Sequence, residues 1–129
     1  MDQYRELELY LTGSINSNVE LYMTLNNDQS SEYLTGNGST AGTCIGLTSS
    51  FQDCASLICK LFPTGLSGGA VGILYHVMGT GSSNFFRPAQ GMACRRALAF
   101  DSLTSIEFFA KSGFQLLEGL SYDLYGLRR

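Results

Sequence analysis

Three stretches of this sequence carry residue types that could do chemistry. The first is GTGSSN at 79–84, with Arg87 close behind. A glycine-rich loop between a strand and a helix can aim backbone N–H groups at phosphate oxygens. Gly79, Gly81, Ser82, Ser83 and Arg87 are therefore the candidate ligand-binding set, for an anion or a nucleotide. The pattern G-x-G-x-x-N lacks the third glycine of the dinucleotide fingerprint. No G-K-[ST] occurs, so it is not a P-loop either. The alternative is a plain connecting loop that displays Phe85 and Phe86 at a contact surface.

The second stretch is GLSGG at 65–69, which puts Ser67 in a G-x-S-x-G pattern. A nucleophile elbow needs a strand before the serine and a helix after it. Here a helix-like segment and Pro63 come before, and an apolar strand-like run comes after. His76 is the only histidine. On an extended chain it lies roughly 30 Å from Ser67, at about 3.3 Å per residue, too far for a dyad. No carboxylate or cysteine flanks it at metal-ligand spacing, so it reads as a core or sheet-face residue. The third group is the cysteines at 44, 54, 59 and 94. None forms a C-x-x-C pair, so zinc-ribbon and thioredoxin-type sites have no support. They read as reduced core thiols among small and apolar neighbours. No catalytic residue, metal site or cofactor is expected.

Charge narrows the partners. The net charge is −3, unevenly spread. Residues 1–63 hold seven acids against Arg5 and Lys60, whereas residues 64–129 hold four acids against six bases. Such asymmetry suits head-to-tail self-association or docking onto a charged partner. Basic residues are few and not interleaved with stacking aromatics, so nucleic acid is not an expected partner. The longest apolar run, 70–78, is too short to span a bilayer as a helix, and the start MDQYRELELYL lacks a signal-peptide pattern. A cytoplasmic location with no membrane contact is the resulting expectation.

These residues need elements to hold them. In RELELYLT, Leu7, Leu9 and Leu11 alternate with Glu6, Glu8 and Tyr10. In VELYMTL, Val19, Leu21, Met23 and Leu25 alternate with Glu20, Tyr22 and Thr24. Period two predicts strands with one buried face, and NSN at 16–18 predicts the turn of a hairpin over 5–25. NNDQSS is a second turn, and short strands are predicted at 32–35 and 43–47. Phe51, Cys54, Ala55, Ile58 and Phe62 share one helical face, which predicts a helix over 51–62 ended by Pro63 and Gly65. The apolar run 70–78 predicts a buried strand. Pro88 as a first-turn residue predicts a helix from 88 with Arg95 and Arg96 facing out. Asp101 as N-cap and Gly113 as C-cap predict another, although Ile106 and Phe108 alternate as a strand would. Residues 114–125 are compatible with either.

The expected fold is one α+β domain over 1–129. Its N-terminal antiparallel sheet, the hairpin 5–25 plus further strands, packs against two or three helices. Seven tyrosines and eight phenylalanines are a heavy aromatic load for this length. Tyrosine and phenylalanine concentrate at interface cores. Phe85, Phe86, Tyr10, Tyr22, Glu6 and Glu8 are the candidate interface residues. The function expected is a non-enzymatic protein–protein interaction or assembly protein, self-associating as a homo-oligomer or docking into a larger complex. One alternative is a small anion/nucleotide-binding or catalytic domain built on the 79–84 loop. Another is a small acidic inhibitor or immunity-type protein presenting Glu6 and Glu8.

Overall fold

The computed structural model describes residues 4–19, 21–35, 40–42, 44–46, 51–65, 68–80, 86–110 and 121–128. Among the described residues the strands are β1 (Tyr4–Val19), β2 (Leu21–Leu25), β3 (Tyr33–Thr35), β4 (Thr40–Gly42), β5 (Ile45–Gly46), β6 (Phe51–Pro63), β7 (Ala70–Thr80), β8 (Phe86–Arg96), β9 (Ile106–Ala110) and β10 (Ser121–Arg128). They form a seven-stranded sheet, β10-β1-β6-β7-β8-β3-β4, and a three-stranded sheet, β5-β2-β9. Every pairing is antiparallel. Among the described residues the only helical element is a 3-10 turn, Phe100–Ser102. No helix there is long and apolar enough to cross a membrane.

The fold is therefore mostly β, which corrects the α+β expectation and its two or three helices. Residues 51–62 form β6, not a helix. Leu57, Cys59 and Leu61 are buried, whereas Ile58 is exposed. The helical reading failed because Ile58 and Phe62 put apolar side chains on the outward face as well. The helix predicted from Pro88 is β8. Its alanines favour helix locally, but the slot between β7 and β3 overrides them. Pro88 is tolerated because, among the described residues, β3 pairs with β8 only from Ala93 to Arg95 and no strand flanks β8 on that side at Pro88. Arg95, expected to face out, is only 6% exposed. The Asp101 helix is replaced by the 3-10 turn and β9, in line with the alternation of Ile106 and Phe108.

The 5–25 hairpin is also corrected, because β1 and β2 lie in different sheets. β1 pairs with β10 and β6, and β2 pairs with β5 and β9. The NSN cluster falls where the β1–β6 register shifts, between Ile15 and Val19. A local irregularity absorbs these polar residues without reversing the chain. Of 114–125, the stretch from Ser121 is strand β10, and residues 111–120 lie outside the described residues.

Period two operates as expected in β1. Leu7, Leu9 and Leu11 enter the core with Leu57, Cys59, Leu61, Val71, Ile73 and Val77 from the same sheet. Met23, Leu25 and Ile45 meet them from the smaller sheet, and Phe100 and Leu103 complete the core. Each fully buried aliphatic side chain contributes about 1.5–3 kcal/mol.

A polar node fixes the sheets against each other. After β2, Asn26 and Asn27 both have positive φ, 55° and 51°, and the Asp28 N–H donates to the Leu25 carbonyl at 3.1 Å. Asparagine accepts this left-handed geometry more readily than most residues. Asn26 Oδ1 accepts from the N–H groups of Thr104 (2.7 Å) and Ser105 (3.2 Å), pinning the approach to β9. Tyr33, fully buried, accepts from the Leu25 N–H (2.9 Å) and donates to the Asp28 carbonyl (2.6 Å). The Arg95 guanidinium lies 5.4 Å from the Tyr33 ring centre and pairs with the Asp28 carboxylate.

The node yields two expected outcomes. Tyr33→Phe leaves the Leu25 N–H buried without its partner and should cost about 1–3 kcal/mol in urea unfolding; a loss within error would remove Tyr33 from this role. Asp28 is held below its ordinary 3.8 by the Ser30 N–H first and by Arg95 next. A depressed folded carboxylate stabilises fully above the unfolded value, and that contribution is lost as pH falls through the folded value. Unfolding measured from pH 5 to pH 2 should show this acid-side loss, and Asp28→Asn should flatten it.

Candidate interaction face

The sheet's pairing builds a surface that no single segment announces. Residues directly opposite on neighbouring strands share a face. One row runs Asp123, Tyr10, Ile58, His76, Gln90 across β10, β1, β6, β7 and β8. The next runs Tyr125, Glu8, Lys60, Leu74, Met92. A third places Thr12, Ser56 and Met78 together. Five strands span about 19 Å at a 4.8 Å spacing. This is the outer face of the large sheet, opposite the core. Its apolar and aromatic side chains are open to solvent: Ile58 is 37% exposed, Tyr125 57% and Met92 63%.

Tyr10 and Tyr125 meet edge to face, ring centres 5.8 Å apart. With Glu8 and Asp123 they line a shallow depression. The Tyr10 hydroxyl donates to Glu8 Oε2 at 3.1 Å, and that bond raises the phenol's pKa. Lys60 Nζ lies 3.2 Å from Glu8 and 3.5 Å from Glu6. Its hydrogen bond to Glu8, then the charge of Glu6, raise the ammonium's pKa. One lysine thus half-neutralises the acidic pair. Asp123 adds a further carboxylate at the rim.

Of the predicted interface residues, the structure brings together Tyr10, Glu6 and Glu8. Tyr22 is elsewhere, half-buried in β2 opposite Phe109 and Gly46. Ile58, Lys60, Met78, Met92 and Tyr125 were missed. For Ile58, Lys60 and Tyr125 the signal was the alternation through 56–62 and 121–127; Met78 and Met92 join them only through the register. Of the ligand-binding set, Gly79 pairs with Arg87, and Thr80 with Phe86, in the β7–β8 ladder. The 79–84 stretch therefore joins two antiparallel strands, and no helix N-terminus comes after it. Gly81, Ser82, Ser83 and Phe85 lie outside the described residues, as does Ser67. The GLSGG stretch leads into strand β7, so the helix that an elbow requires is missing. His76 is exposed on the outer face, in register with Ile58 and Gln90.

Among the described residues no group of three or more His, Cys, Asp or Glu could hold a metal ion. Cys44, Cys59 and Cys94 are free thiols. No protein-family model, curated protein or solved structure matches this chain.

Burial pushes the Cys59 thiol up to about 12. The thiolate is the nucleophile, so Cys59 should stay unmodified by iodoacetamide at pH 8 in the folded protein and react on denaturation. Mass mapping reads this directly. Equal labelling in both states would contradict its place in the core.

Proposed function

We propose that this is a non-enzymatic interaction protein that docks onto another protein through the outer face of its large sheet. The observation carrying this reading is the register, which aligns Tyr10, Ile58, Met78, Met92 and Tyr125 on one exposed face. Tyrosines and methionines suit such a role because they bring large contact area, the methionines with adaptable shape. The matching partner surface is apolar opposite Ile58 and Met92. It carries arginine or lysine opposite Glu8 and Asp123, where a cation also gains from the tyrosine rings. A reducing, cytoplasmic setting fits the free thiols of Cys44, Cys59 and Cys94. The anion-binding alternative has less support, since a strand, β8, and not a helix N-terminus follows the 79–84 stretch.

Affinity capture from the native source, with titration of the purified partner, tests the proposal. Ile58→Lys with Met92→Lys should weaken binding at least about tenfold, near 1.4 kcal/mol, while Arg87→Ala leaves it unchanged. The reverse pattern would overturn it, as would nucleotide-induced thermal stabilisation that Arg87→Ala abolishes.

A further inference from the structure

The two sheets have four edge strands among the described residues. Three are short: β4 has three residues, β5 two and β9 five. β10 has eight, and every one is exposed. Proteins blunt long edges with proline, lysine, bulges or a covering segment, because an open ladder pairs with any available strand. SYDLYGLR contains neither proline nor lysine. Its charges are Asp123 and Arg128, and four of its residues are exposed large apolar or aromatic ones: Tyr122, Leu124, Tyr125 and Leu127.

Among the described residues the inner side of the same edge is also open. Tyr122 and Leu124 share the face of Leu11 and Leu9, yet are 71% and 45% exposed. They stand at an apolar groove of about 470 Å³ between the two sheets, with Leu9 and Leu11 on one wall and Ile106 and Phe108 on the other. A strand added beside β10 would extend the ladder and turn alternate side chains toward this groove.

We propose that the added strand is β10 of a second copy, paired antiparallel about a twofold axis perpendicular to the sheet. Three features favour this occupant. Each molecule carries a strand of matching length at its own concentration. A perpendicular twofold keeps inner side chains with inner and outer with outer. Both central registers also keep like charges apart. Centred on Leu124, the pairing sets Leu124 against itself and Asp123 against Tyr125. Centred on Tyr125, it sets Tyr125 against itself and Asp123 against Leu127. The interface is isologous, so it closes at a dimer. It names one partner for the interaction protein proposed above but uses a different surface, and it stands independently of that reading.

Sedimentation equilibrium of the full chain over a graded concentration series tests it. A reversible dimer is expected, and Leu124→Lys should raise its dissociation constant at least about tenfold with little change in the unfolding midpoint. Hydrogen exchange of the unaltered protein supplies a readout free of any folding defect: β10 amides gain protection as concentration rises. A monomer at every concentration overturns the proposal. So does a dimer whose β10 amides gain no protection. A dimer lost in Ile58→Lys but kept in Leu124→Lys assigns self-association to the outer face, overturning the edge pairing while sparing the face.

Discussion

The turn from Leu25 to Asp28 is where the two sheets are held in alignment. Asn26 ties it to the approach of β9, Tyr33 ties it to β3, and Arg95 ties it to β8. Apolar contact between sheets is non-directional, so the aliphatic core tolerates sliding. Directional bonds at a buried tyrosine hydroxyl do not. A paired arginine at low exposure is weak evidence for net stability, because desolvation offsets much of the attraction. We assign the Arg95–Asp28 pair to alignment more than to stability. With that alignment fixed, the large sheet has one face committed to the core and the other left over.

That left-over face carries part of the chain's aromatic load, Tyr10 and Tyr125. A sheet packed on one side needs polar residues on the other to stay fully solvated. Here the outer rows mix Glu8, Lys60 and Gln90 with Ile58, Leu74, Met92 and Tyr125. The polar groups partly satisfy one another, as Lys60 does with Glu6 and Glu8. Ile58, Met92 and Tyr125 nevertheless stay exposed. Among the described residues the edge at β10 adds an unpaired ladder beside this face, so the two proposed surfaces differ in physical kind. One gains from side-chain burial and the other from backbone pairing.

How much of this the sequence showed depended on whether one face of a strand was polar. Leu7, Leu9 and Leu11 alternate with glutamates and tyrosine, so β1 was legible. β7 was legible from its apolar run between glycines. β6 was not, because Ile58 and Phe62 on its outer side imitate a helical face once combined with Cys54 and Ala55. β8 was not, because Pro88 and the alanines carry helix-like local chemistry that sheet pairing overrides. The 5–25 hairpin failed for a different reason: a turn-like NSN does not reveal that the next strand belongs to another sheet. The proposed interaction face was half legible. Tyr10, Glu6 and Glu8 stood out by type, but Ile58, Met92 and Tyr125 joined them only through register, which pairs residues far apart in the chain.

The central claim is that the outer face of the large sheet is the binding surface. Hydroxyl-radical footprinting of the complex from its native source addresses it directly, because methionine and tyrosine side chains oxidise according to exposure. Tyr10, Met78, Met92 and Tyr125 should lose oxidation on partner binding, while Tyr22 stays unchanged. Unchanged oxidation at those four residues, with protection confined to the stretch at 81–87, would contradict it.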